Sequence, residues 1–168
     1  MLSNPVAIST LVAGLGAGAI IDMRTRRVPN ELTGGLAAAG LLLAALGVTG
    51  ITVASSFLGL VLGLALMMPG HILGATGAGD VKLFAAAGTV VGAGLMLPAF
   101  LYTALAGGVI GIVVAVSRRR LTQTIGRTAA LIASRGANAE EIESAPGNNR
   151  FAYAPAIAIG VVLAVWRM

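Results

Sequence analysis

Two aspartates interrupt long uncharged stretches of this chain, and they are the residues best suited to do chemistry. Asp22 follows residues 1–21 and Asp80 follows residues 32–79, neither of which carries a formal charge. Acidic groups in or at the edge of a membrane are costly to place and therefore mark function by default. Two carboxylates brought together in a low-dielectric site cannot both ionise, so the pair holds one shared proton. The ionised partner can take a proton from water while the protonated one donates to a carbonyl oxygen. Such a pair needs no metal, thiol or cofactor, which suits a chain with no Cys and a single His, His71. A thiolate metal site, a disulfide framework and a Cys nucleophile are excluded. Taken singly, each aspartate also reads as a helix-end charge paired with its neighbour, Arg24 or Lys82.

The surroundings of Asp80 favour the pair. Gly77-Ala78-Gly79-Asp80-Val81-Lys82-Leu83 places a GxGD motif at the entry to a helix. Glycines there permit positive φ and close approach of another chain, as an extended peptide substrate requires. A phosphate loop is excluded, because no GxxxxGK[ST] is present and a dinucleotide fingerprint needs a preceding strand. Upstream, Asp22-Met23-Arg24-Thr25-Arg26-Arg27-Val28-Pro29-Asn30 forms a charged loop, with Pro29-Asn30 shaping the next helix start and Asn30 as its cap. Lys82 reads as a group that tunes the aspartates, binds a substrate carbonyl or snorkels at the interface. His71 reads as a loop residue.

The elements that hold these residues must be membrane helices. The chain has 168 residues, 57% hydrophobic and 10% charged, where a soluble domain averages about 25% charged. A spanning helix needs about 20 apolar residues. The uncharged run 32–79 accommodates two, turning at Gly47-Val48-Thr49-Gly50, and the run 83–117 two more, broken near Leu97-Pro98. The expectation is an all-α membrane protein, one domain over 1–168, with six spans near 4–21, 32–47, 51–69, 80–97, 98–116 and 151–167. The net charge of +5 reads as topology rather than nucleic-acid binding. In this layout every Lys and Arg except Arg167 falls on one face, which the positive-inside rule makes cytoplasmic, with both termini outside. Asp22 and Asp80 share that face and are expected to line one cavity open to the cytoplasm. Residues 1–21 lack the basic start of a cleavable leader despite the A-x-A-like Ala17-Gly18-Ala19.

The loop 117–150 reads as a solvated loop, with a docking site for a basic peptide as the further alternative, though Leu121, Ile125, Ala129 and Ile132 recur at helical spacing among arginines, as in a helix in the headgroup layer. Gly136 ends it, and Glu140, Glu141 and Glu143 precede a turn at Pro146-Gly147-Asn148-Asn149. Gly59/Gly63, Gly88/Gly92 and Gly107/Gly111 are small-residue pairs that let helices pack closely in lipid. Whether any of them serves a homodimer is left open.

The motifs Asp22–Asn30 and Gly77–Leu83 resemble those of the bacterial type IV prepilin peptidases, a family of GxGD aspartyl proteases, and are most similar to the short form of tight-adherence (Flp-type) pilus systems. The resemblance spans the whole six-helix layout. It implies that Asp22 and Asp80 are a catalytic dyad, with Gly77, Gly79, Lys82, Pro29 and Asn30 supporting them. It also implies a prepilin substrate whose basic leader is removed at the cytoplasmic face of the inner membrane, with no cofactor. Long family members add paired CxxC motifs and N-methylate their product; with no Cys here, the resemblance extends to the protease alone. Two rival readings are a proton-linked small transporter, which would place the acids nearer the bilayer midplane, and a non-catalytic assembly subunit, which would not need both.

Overall fold

The computed structural model describes residues 4–117 and 152–167. Every regular element among them is an α-helix: α1 (Pro5–Thr25), α2 (Asn30–Ala45), α3 (Val53–Ile72), α4 (Ala78–Val91), α5 (Ala93–Ser117) and α6 (Ala154–Trp166). The segment expected to lie in the headgroup layer (Leu121, Ile125, Ala129, Ile132), Gly136, the three loop glutamates and the turn at 146–149 lie outside the described residues.

Local signals set most boundaries. Asn4 accepts the Val6 N–H at 2.9 Å and Pro5 opens α1, a residue with no N–H where none is needed. At the other end Arg26 takes a left-handed conformation (φ 55°) and donates its N–H to the Asp22 carbonyl at 2.8 Å. Val28 precedes Pro29 and is thereby kept out of helical geometry, so α1 and α2 are joined by a short loop. The turn at 47–50 forms as expected, with Gly47 (φ 72°) and Gly50 (φ 71°) in the region open to glycine. Thr52 then caps α3, accepting from the Ser55 N–H at 3.1 Å.

Two expectations are corrected. The break foreseen at Leu97-Pro98 lies instead at Gly92 (φ 80°), and Pro98 is inside α5. Gly92 can adopt a turn that other residues resist. Pro98, in the second turn of α5, removes one hydrogen bond, to the Gly94 carbonyl. The cap of α2 is Pro29, with no side-chain bond, while Asn30 is the first helical residue and its side chain is engaged elsewhere.

Helix α4 runs through the middle of the bundle. Every residue from Asp80 to Val91 is buried except Lys82. Helices α2 and α3 flank it over most of its length, and α1, α5 and α6 touch it. Glycines make this close approach feasible. A Cβ on Gly59 would strike the Gly88 carbonyl, one on Gly88 the Gly59 carbonyl, and one on Gly63 would lie 2.6 Å from Ala85 Cα. In the core, Leu11 and Leu15 of α1 meet Leu83 and Phe84 of α4, Met96 of α5, and Ile157 and Val161 of α6. Phe84 and Phe100 meet edge to face, centroids 6.3 Å apart.

The outer faces are apolar: Leu58, Leu62, Leu101, Leu105, Val109 and Ile112 are all exposed. Three helices, α1, α3 and α5, are long and apolar enough to cross a membrane. Helix α4, with 14 residues, is only about 21 Å long at 1.5 Å per residue.

Candidate active site

The two aspartates reach the same place from different helices. Asp22 stands in the last turn of α1, and Asp80 is the third residue of α4. Gly18 of α1 lies against Leu83 of α4, where a Cβ would come within 2.9 Å of Leu83 Cδ2. Asp22 is four residues beyond Gly18 and Asp80 three before Leu83, so each carboxylate sits about one turn from that contact on the facing stripe. The helices are antiparallel, and both steps lead toward the same end of the bundle. The Asp22 charge is felt at Asp80. Both residues are buried, at 5% and 7% exposure.

Each carboxylate holds one backbone N–H. Asp80 Oδ2 accepts from Gly77 at 3.1 Å, at the start of α4 where a negative charge is favoured. Asp22 Oδ2 accepts from Ala154, also at 3.1 Å. Asp80 Oδ1 is buried and has no hydrogen-bond partner among the described residues; a buried acceptor left open in this way is a place for a proton, a water or a substrate atom. Neither aspartate is in an ion pair among the described residues. Lys82 points away, donating to Asn30 Oδ1 at 2.8 Å and tying α4 to α2. The pairing of each aspartate with a neighbouring cation, open from sequence, is thus not formed.

The motif glycines act within the fold. Gly77 is extended (φ −75°, ψ 152°) and a Cβ there would lie 3.1 Å from Asp80 Oδ2. A Cβ on Gly79 would lie 3.1 Å from Val28 Cβ, so the α1–α2 loop itself makes the close approach foreseen for another chain. The positive φ expected in this motif falls earlier, at Gly74 (φ 71°). Pro29 precedes the first residue of α2. His71, expected in a loop, stands instead in the last turn of α3, with Nδ1 3.0 Å from the Thr76 carbonyl in the α3–α4 connection. A groove of about 310 Å³ between α2, α3 and α4 is lined by Asn30, Thr33, Leu60, Leu64 and Lys82 among others, and neither aspartate lines it.

Sequence reasoning placed a span near 151–167 but missed that the start of α6 reaches the aspartates. Tyr153 precedes its first residue, and the Asp80 charge is felt at its hydroxyl. Its carbonyl accepts from Ala156 and Ile157 at 3.0 and 3.2 Å, and Pro155 has no N–H, which leaves the Ala154 N–H to serve Asp22. The available signal was Pro155: proline in a first turn marks a helix start, where N–H groups lack helical partners.

With this geometry in view, comparison with known proteins is informative. A family model, the type IV leader peptidase family, matches residues 9–112. No curated protein matches the chain. No solved structure matches it. The matched segment contains both aspartates and ends before α6.

Proposed function

The chain belongs to the type IV leader peptidase family, and on that premise we propose that it is an aspartic endopeptidase acting through Asp22 and Asp80. Its substrate is a precursor of the Flp-like prepilin type, and it removes the basic leader next to the apolar segment that follows. All six helices are membrane spans of one domain in a bacterial inner membrane, and the end of the bundle carrying Asp22, Asp80 and Lys82 faces the cytoplasm. The observation that carries this reading is the pair itself. Two buried carboxylates from separate helices stand at one level, each held by a single backbone N–H, with no cation paired to either among the described residues.

Each part then has a task. The carboxylates share one proton. The ionised one accepts a proton from the attacking water, and the protonated one donates to the scissile carbonyl as the tetrahedral intermediate forms. Asp80 Oδ1, open and buried, is the oxygen best placed to meet water or substrate. Gly77 and Gly79 keep the loop close to the carboxylate, and the Lys82–Asn30 bond fixes the entry of α4 against α2.

The test is leader cleavage. Wild type, Asp22→Asn and Asp80→Asn are coexpressed with a small Flp-type pilin precursor, and the precursor is followed on a gel. Asn keeps the shape and removes the titrating carboxyl. The wild type is expected to shorten the precursor, and each variant, at equal membrane level, to leave it intact. Cleavage by either variant would sink the dyad. No cleavage by wild type on several such precursors would turn attention to assembly or transport.

A further inference from the structure

Helix α6 lies outside the segment matched by the family model, yet it supplies the only hydrogen bond that the Asp22 carboxylate makes among the described residues. A backbone N–H cannot be selected by side-chain chemistry, so its position depends on whatever holds the first turn of α6. Pro155 removes the next N–H, and the one after it is turned inward to the Tyr153 carbonyl at 3.0 Å. The turn thus offers Asp22 one donor, whose placement follows the residue that opens the helix.

That residue is wedged. Gly107 of α5 leaves a notch, and the far edge of the Tyr153 ring fills it: a Cβ on Gly107 would lie 2.6 Å from Cε2 and 2.9 Å from both Cζ and Oη. Higher up, Gly160 of α6 meets Thr103 of α5, where an added Cβ would strike the Thr103 backbone N. The two helices are therefore held together at two levels, and the lower one, at Tyr153, is next to the aspartates.

We infer that Tyr153 is a positioning residue of the proposed reaction: seated in the Gly107 notch, its ring fixes the first turn of α6 so that the Ala154 N–H stays on Asp22. The inference rests on the dyad reading above. Without the wedge the turn is free to shift, and Asp22 loses the donor that orients its carboxylate. On this inference Tyr153 acts on the orientation of Asp22 and not on the binding of substrate. A catalytic group misplaced by as little as about 1 Å can slow a reaction about a hundredfold.

The experiment measures initial rates of precursor cleavage against precursor concentration for the full-length protein in detergent, with Asp22→Asn and Asp80→Asn as references. Tyr153→Ala is expected to lower kcat by about tenfold or more with KM within about twofold. Tyr153→Phe keeps the ring and should restore kcat to within about threefold of wild type. Gly107→Ala keeps Tyr153 but obstructs its seat and should lower kcat in the same way. Gly108→Ala, where an added Cβ meets nothing within 4 Å, is the matched control. If Tyr153→Ala fails to fold, the Gly107→Ala and Gly108→Ala pair decides the matter. Wild-type kcat in Tyr153→Ala or Gly107→Ala, with Asp22→Asn inactive, overturns the inference and spares the dyad. So does a loss in Tyr153→Phe equal to that in Tyr153→Ala, because the hydroxyl would then matter and not the wedge. Activity in Asp22→Asn would overturn the dyad and this inference with it.

Discussion

Asp22 and Asp80 resemble each other in burial and in accepting one N–H apiece, but they depend on different neighbours. Asp80 is held by its own helix entry, three residues away, whereas Asp22 is held by a residue 132 positions further along the chain. Lys82 illustrates how a charged residue in a motif can serve architecture. Its ammonium and the Asn30 amide oxygen, both on exposed residues, join α4 to α2. Hydrogen bonds of this kind contribute about 1 kcal/mol net. Asn30→Ala and Lys82→Ala should therefore each lower the thermal midpoint in detergent, while the double variant lowers it by less than their sum. Strict additivity would show that the contact contributes nothing.

Among the helices, the decisive contacts are backbone on backbone. Gly59→Ala or Gly88→Ala forces α3 and α4 apart and should destabilise the bundle by roughly 1–3 kcal/mol. Gly111→Ala, with nothing within 4 Å of its added Cβ, should be neutral or slightly stabilising, because alanine is the better helix former. Thermal unfolding in detergent separates the two cases. The same contrast explains how far the sequence could be read. Charges set in apolar runs are strong signals, so both aspartates, their loops and the turn at 47–50 were legible. The small-residue pairs on α3 and α4 were recognisable too, but at Gly111, with the same spacing, an added Cβ would meet nothing within 4 Å. Pro98 looked like the natural break because proline announces itself, whereas the φ of Gly92 depends on how α4 and α5 fold back on each other. Tyr153 was invisible for a related reason: its importance lies in a notch on α5 and a carboxylate on α1, neither adjacent in the chain.

Across the whole molecule, Asp22, Asp80, Lys82 and the start of α6 gather at one end, while the 46–52 connection and Arg167 lie at the other. The absence of Cys makes the proposed orientation directly measurable. Single cysteines in place of Arg27 and Ala75, both exposed, should react with a membrane-impermeant thiol reagent only after cells are opened. One in place of Leu46, which is 66% exposed, should react in intact spheroplasts. The reverse pattern would invert the topology and remove the active site from the cytoplasm. The burial of α4 also bears on how the protein is made. A short helix with almost no outward face gains little from lipid by itself, but α2 and α3, its main neighbours, leave the ribosome first and form the slot it enters. Helix α6 follows them, and only then does the Ala154 N–H reach Asp22. On that order of synthesis and in the proposed orientation, both aspartates wait at the cytoplasmic face in an unfinished arrangement, and the cutting power proposed for them is withheld until α6 is in place.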